Sequence, residues 1–343
     1  MKKFINQPSD YVTEMLEGIY LAHPRQLRYV NDDVHCLVAA RQVSGKVAIV
    51  TGGGSGHLPL FLGYVGEGML DGCAVGDVFQ SPSAEQILNV TKAVDRGAGV
   101  LYLFGNYTGD LINFGMAAEL AEFDDITTRT VVGADDVGSA PAERHDKRRG
   151  VAGIFFQYKV AGAAAAQGLA LDEVVRLAEK TGAATKSLGV ALTPCIIPEV
   201  GKPAFSVAEG VMEVGMGIHG EPGIAQEAQA DANIVVDRLL PILLAELTFA
   251  PGDSVAVLIN GLGATPQDEL YILYRHIHRR LAEQGIQVFH VWCGEFATAM
   301  EMTGFSLSLC RVDAELRGYL AQPAHTPFFT QFAITEGEHG NPS

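Results

Sequence analysis

Two layered α/β domains with mostly parallel or mixed sheets are the fold that this sequence predicts. Three observations carry the expectation. Short β-branched runs alternate with stretches of helical spacing, glycine-rich loops follow the runs, and 343 residues suit two ordinary domains of about 100–200 residues each.

In order along the chain, Val47–Thr51 (VAIVT) reads as a buried strand that ends in a tight Gly52-Gly53-Gly54 loop. Ala84–Asp95 has Ile87, Val90 and Val94 on one side, with Ser83 placed to cap it. Gly99–Phe104 is a second buried strand, Leu111–Glu122 a helix, and Ile126–Val132 a third strand. Helical stretches follow at Val151–Gln167 and Leu171–Lys180. Downstream, Ser254–Asn260 and Ile286–Trp292 are strands around a long amphipathic helix, Gln267–Gln284. Thr181–Leu192 is the natural join. It gives an N-terminal domain over 1–187, a C-terminal domain over 188–334, and a polar Gly/Pro-bearing stretch over 335–343 that reads as a flexible tail.

Composition excludes several function classes. Lys+Arg 24 against Asp+Glu 40 leaves a net charge of −16, which disfavours nucleic acid and anionic membrane as partners. The five cysteines are spread without CxxC or zinc spacing, as free thiols in a reducing compartment are. The start, MKKFINQPSD, lacks the apolar stretch of a signal peptide. No uncharged apolar run reaches the ~18 residues of a membrane span. The expected location is therefore the cytoplasm.

Four loops could carry chemistry. Thr51–His57 (TGGGSGH) follows a strand, where α/β sheets gather ligands. It is neither a Walker A loop nor a dinucleotide fingerprint, because no Gly-Lys-Ser/Thr follows and position 57 is His. Gly105–Asp110 (GNYTGD) follows the next strand and offers Asn106, Thr108 and Asp110. Val214–Gly223 (VGMGIHGEPG) flanks His219 with glycines and sets Glu221 two residues on. Asn260–Glu269 (NGLGATPQDE) is again strand, loop, helix.

Taken residue by residue, each loop also admits a plain reading. These are a glycine turn with a satisfied histidine, a helix N-terminus with Asp110 opposing the dipole, a turn residue at His219, and a βα connection with Thr265 as cap and Pro266 at N1. His276 and His278 are two apart on a helix, a poor metal pair on a solvated face. No GxSxG, HExxH or protein-kinase signature occurs.

Taken together, GGGSGH (52–57), NYTGD (106–110), GMGIHGEPG (215–223) and NGLGATP (260–266), with RRGVA (148–152), GKP (201–203), MTGFS (302–306) and HTP (325–327), resemble the substrate-binding K subunit, or K domain, of the dihydroxyacetone kinases. The resemblance runs from about Lys3 to Pro327. It implies that His219 bonds covalently to a ketose carbonyl as a hemiaminal, and that His57 and Asp110 help to deprotonate the terminal hydroxyl. Gly54, Ser55 and Gly56 are implied substrate contacts. It also implies a ligand site near the domain junction, with His57 and Asp110 from the first domain facing His219 from the second, and a homodimer.

The family's nucleotide-binding module, an all-helical unit with an Asp-rich loop for Mg2+, has no counterpart here. The expectation is a free-standing subunit that binds no cofactor and no metal itself. It would work with a separate helical L subunit carrying either ATP or a tightly held ADP recharged by the phosphotransferase system, with Mg2+. A non-catalytic ketose-binding coactivator or sensor is the alternative that the same family offers. A dinucleotide-dependent oxidoreductase fails for want of its fingerprint.

Two positions depart from the family's pattern. Leu58 stands where the best-known members have Glu. Gly105, at a substrate-contact position, stands where many have Lys. Losing both charges opens space beside the ketose, so the expected substrate is dihydroxyacetone or a four-carbon ketose such as erythrulose.

Overall fold

The computed structural model describes residues 3–335. Except for Thr335, the tail expected over 335–343 lies outside the described residues. The first sheet is built from β1 (Leu27–Val30), β2 (Asp33–Ala39), β3 (Ala48–Ser55), β4 (Gly72–Val78), β5 (Val100–Gly105) and β6 (Thr128–Gly133), in the order β1-β2-β4-β3-β5-β6. Strands β4, β3, β5 and β6 run parallel, and β1–β2 is an antiparallel addition at one edge. The carboxyl ends of the parallel strands therefore meet at one edge of the sheet, where α/β folds hold ligands.

Helices α2 (Ala84–Val94) and α3 (Thr108–Glu122) cover one face of this sheet through Ile87, Val90, Val94, Phe114 and Ala117. Ser83 caps α2 as expected, in a reciprocal capping box with Gln86. Helix α1 (Tyr11–Ala22) buries Leu16 in the core on the opposite face. Helix α3 starts three residues earlier than the sequence pattern indicated, so Asp110 lies in its first turn rather than in a loop.

The second sheet contains β7 (Thr185–Ala191), β8 (Val211–Val214), β9 (Ala225–Ala228), β10 (Ser254–Gly261), β11 (Gln287–Gly294) and β12 (Gly304–Val312), in the order β11-β10-β12-β7-β8-β9. Only β10–β11 is parallel. The parallel rhythm thus describes the first sheet, while the second is mixed and mainly antiparallel. Strand β7 lies wholly in the second sheet and spans residues 187 and 188. Helices α6 (Ala232–Leu247) and α7 (Gln267–Glu283) cover its outer face through Leu239, Leu243, Leu270 and Ile277.

Helix α4 (Ile154–Ala166) lies between the sheets, and every residue from Ile154 to Ala165 is buried. Its surface is apolar on most sides, and its two buried polar side chains are bonded, Gln157 Nε2 to Ala178 O (3.2 Å) and Lys159 Nζ to Gln322 O (2.6 Å). Its Phe155 and Phe156 rings meet Trp292 of β11, and the same core reaches Leu101 and Leu103 of β5. Helix α5 (Leu171–Ala183) packs beside α4, and α8 (Ala314–Leu320) precedes a small hairpin of β13 (Ala324–His325) and β14 (Thr330–Gln331). Among the described residues, no helix is long and apolar enough to cross a membrane.

Two local expectations are corrected. Gly52–Gly54 is not a tight loop: β3 continues through it to Ser55, paired with β4. A side chain at Gly53 would collide with the Phe61 ring, so the glycines admit close packing onto an extended strand. Thr265 does not cap α7. Its hydroxyl donates to Gly304 O (2.6 Å) and accepts from Gly304 N (2.8 Å), and Pro266 occupies the N-cap position.

Candidate active site

Strand β3 delivers the first histidine. Gly56, at φ +99°, turns the chain out of the strand, a conformation that favours glycine. His57 is fully buried. The segment 298–300 from the second half clamps this turn. Met300 N donates to Gly56 O (2.8 Å), Thr298 N to His57 O (3.1 Å) and Thr298 Oγ1 to Leu58 O (3.0 Å).

His57 Nδ1 lies 2.7 Å from Thr298 O. A carbonyl only accepts, so Nδ1 carries the proton in this bond and Nε2 presents a lone pair. That Nε2 is buried and makes no hydrogen bond. Burial, then the neighbouring His219, lower the ring's pKa to about 3 against the opposing pull of Thr298 and Glu221. His57 is a neutral imidazole with a vacant acceptor.

Asn260 acts one step behind. Its Oδ1 accepts from Phe296 N (2.8 Å) and Ala297 N (2.9 Å), and its Nδ2 donates to Ala297 O (2.8 Å) and Ser306 Oγ (3.0 Å). The NGLGATP loop therefore contributes by holding the main chain that presents Thr298 O.

His219 comes from the other half, on the loop after β8. Its Nδ1 is 2.8 Å from Glu221 Oε1, and its backbone N donates to Glu221 Oε2 (3.0 Å). The carboxylate fixes Nδ1–H and leaves Nε2 as the free nitrogen. Burial pushes the Glu221 carboxyl up, but the hydrogen bond and charge of His219, together with Arg149, hold it at about 2. The His219 ring is 4.8 Å from His57, 5.2 Å from Phe79 and 4.7 Å from Tyr107, centroid to centroid. Its side chain retains 23% of its exposure, so the ring remains accessible.

Asp110 is buried at the start of α3 and feels the His219 charge. Burial raises its carboxyl to about 6, against a hydrogen bond from Ser81 and the attraction of His219. Its Oδ1 is buried without a partner. Acceptors at Asp110 Oδ1 and His57 Nε2 and a free nitrogen on His219 thus belong to one cluster. A ligand carrying hydroxyl donors and an electrophilic carbon matches that set.

The implied contact residues divide. Ser55 donates its hydroxyl to Gly76 O (2.7 Å), so that proton is already engaged. Gly54 lies tight against the Phe79–Gln80 backbone, and Gly56 O is bonded to Met300 N. Gly105 ends β5 beneath the Tyr107 ring and against Gly150 O. Because Tyr107 meets His219, position 105 adjoins the cluster. Leu58 lines a different cavity of about 380 Å3 with Met15, Met300 and Tyr11. Its departure from the family's pattern therefore falls outside the histidine cluster. His276 is half-buried and lies beside Asp237 on the exposed side of α7, 3.0 Å from Nε2 to Oδ1.

Several participants were not singled out from sequence. Phe79 stacks on His57 at 4.9 Å with an interplanar angle of 19°. It holds φ +58°, which is rare for a bulky residue and concentrated at functional sites. Nothing in the DVFQSPS string signals that conformation. Tyr107 lies inside the NYTGD motif, where its burial was not readable. Thr298 acts through its main-chain oxygen, which leaves no imprint on residue type.

The Dak1 domain family matches residues 17–328. The PTS-dependent dihydroxyacetone kinase 2, dihydroxyacetone-binding subunit DhaK, of Listeria innocua is 45% identical over 96% of this chain and 99% of its own length. The L-erythrulose kinase of Pectobacterium atrosepticum is 41% identical over 98% of this chain but only 58% of its own length.

Among solved structures, the dihydroxyacetone kinase of C. freundii in its native form superposes with a TM-score of 0.87 at 33% identity, covering 98% of this chain and 61% of that one. The dihydroxyacetone kinase operon co-activator Dha-DhaQ gives a TM-score of 0.85 at 35% identity, covering 93% and 97%. This chain belongs to the Dak1-domain family, that of the substrate-binding K subunits of dihydroxyacetone kinases.

Proposed function

We propose that this chain is the ketose-binding subunit of a kinase that phosphorylates the terminal hydroxyl of a short-chain ketose. The observation that carries the reading is the convergence of His219, with Nδ1 committed to Glu221, on His57 and Asp110, whose acceptor atoms are buried and unsatisfied. His219 Nε2 attacks the ketone carbon. A C–N bond forms, the carbonyl π pair moves to oxygen, that oxygen takes up a proton from water, and the ring's Nδ1 proton passes to the Glu221 carboxylate, which leaves a neutral hemiaminal. A polyol such as glycerol has no carbonyl and is excluded on that ground.

The terminal hydroxyl then faces Asp110 and His57. Asp110, raised to about 6, is matched to accept its proton near neutral pH, whereas His57, held neutral, accepts a hydrogen bond through Nε2. The hydroxyl oxygen attacks an in-line phosphoryl group. This chain's share is positioning and proton acceptance, because phosphoryl transfer itself asks little covalent chemistry of a protein. The donor nucleotide and its Mg2+ are assigned to a separate L subunit, in keeping with the full-length match to a DhaK subunit.

The substrate is taken as dihydroxyacetone or erythrulose. Relatives named for each substrate support the pair, the dihydroxyacetone-binding subunit of Listeria innocua and the L-erythrulose kinase of Pectobacterium atrosepticum, whereas Gly105 opens no space, because the Tyr107 ring and Gly150 O already fill it. The test is sugar-phosphate formation from dihydroxyacetone and both erythrulose enantiomers, with helical partner subunits and Mg2+-ATP or a phosphotransferase chain. Intact-mass detection of the adduct runs in parallel. The His219→Ala variant is expected to form no adduct, and adduct formation by that variant refutes the assignment. A second reading, a ketose-binding coactivator, is favoured by the match to the co-activator structure. Adduct formation without turnover by any partner would establish it.

A further inference from the structure

The Glu221 carboxylate is itself held in place, by a cation anchored between the two halves of the chain. Arg149 donates from Nε (2.9 Å) to Asp136 Oδ2, and its Nη2 lies 2.8 Å from the same oxygen. Nη2 also donates to Gly215 O (3.0 Å), at the root of the His219 loop, and Nη1 lies 3.6 Å from Glu221 Oε2. Asp136 is buried, its Oδ1 accepts from Gly138 N (2.9 Å), and its backbone N donates to Arg149 O (3.0 Å). The same segment bridges to Ser187 of β7, with Val137 N donating to Ser187 O at 3.0 Å. The guanidinium is thus anchored where the first sheet's last strand passes to the second sheet, and it faces the loop that carries His219.

We propose that Arg149 is a positioning residue that, by holding Glu221, determines which nitrogen of His219 carries the proton and keeps Nε2 free for the ketone. This rests on the reading of His219 as the carbonyl-binding group. The groups around the His219 ring are Glu221, Asp110, His57, Tyr107 and Phe79. Those around Arg149 are Asp136 and Glu221, with Asp135 adjoining. Without the guanidinium, every charged neighbour of the imidazole is acidic. The Glu221 carboxylate, no longer paired, is free to turn from Nδ1 towards water, and the ring proton is then no longer confined to Nδ1. Lysine would retain the charge but could not bond Asp136 and Gly215 from one planar fork while lying beside Glu221.

The test compares wild type, Arg149→Met, Arg149→Lys and the double variant Arg149→Met/Asp136→Asn, which leaves no buried carboxylate unpaired if the single change unfolds the chain. Hemiaminal formation with carbonyl-13C dihydroxyacetone is followed by NMR from pH 5 to 9, and the His219 nitrogens by 15N spectra without ketose. Arg149→Met is expected to lose adduct about tenfold at pH 6.5. Its 15N spectrum should show a protonated Nε2 across the neutral range, while Arg149→Lys restores part of the Nδ1-protonated signal and of the adduct. The double variant should move in the same direction. Profiles and 15N spectra unchanged in Arg149→Met or the double variant overturn the proposal. If wild type forms no adduct, the His219 reading fails, and the 15N comparison still decides whether Arg149 sets the tautomer.

Discussion

Gly217→Ala should separate ligand binding from folding. A Cβ at position 217 would lie well inside 3.0 Å of both Glu221 Oε2 and Arg149 Nη1, the far ends of two side chains. The backbone can stay in place, and the carboxylate must withdraw. Withdrawal stretches the 2.8 Å bond to His219 Nδ1 and the 3.0 Å bond to His219 N past the ~3.5 Å at which a hydrogen bond ceases. A hydrogen bond to a charged group contributes about 1.5–3 kcal/mol. At 1.4 kcal/mol per decade, that is roughly a 10- to 100-fold weaker adduct. Titration with labelled dihydroxyacetone, read as the hemiaminal fraction by NMR, measures the loss, and a thermal melt confirms that the variant is folded. A folded Gly217→Ala protein that binds within twofold of wild type would show that Glu221 does not control His219.

Two further predictions concern pH and oppose each other in sign. Asp110 has a folded value near 6 against an ordinary 3.8, so the folded chain holds this proton more tightly than the unfolded chain. Its contribution to stability is lost as pH rises from about 4 through 6. Asp110→Asn should therefore gain up to ~3 kcal/mol above pH 6, and nothing below about pH 4, while turnover collapses. Urea midpoints at pH 4 and 7.5, with kinase assays, check this, and equal stabilisation at both pH values would refute it. His57 has a folded value near 3 against 6.5, so stability is lost as pH falls below 6.5. His57→Gln should remove up to ~1.4 kcal/mol per pH unit of that acid sensitivity. An unchanged slope between pH 4.5 and 6.5 would show that the buried ring is not its source.

Legibility in the sequence followed the physics of each element. The parallel half was readable because β3 and β5 are buried runs, and the Ser83–Gln86 box announces α2 locally. Strands β7, β8 and β12 pair across long separations and antiparallel. Their neighbours are chosen by tertiary packing, which periodicity does not encode. His57, Asp110 and His219 were legible because each stands in a glycine-bearing motif and the motifs follow one another in a fixed order. Phe79 was not, since its left-handed backbone is imposed by its surroundings, and Asn260 emerged as a scaffold for main chain rather than as a ligand contact.

The placement of α4, packed against Trp292 of the second sheet and in one core with Leu101 and Leu103 of the first, bears on how relatives can be recombined. A chimera joined at residue 187 would pair one parent's Phe155 and Phe156 with the other parent's Trp292 and Phe296, and would split β7 between parents. Swaps that respect this jigsaw must carry α4, β7 and β11 as a single block, so substrate preference is better transplanted through the loops that line the histidines than through whole halves.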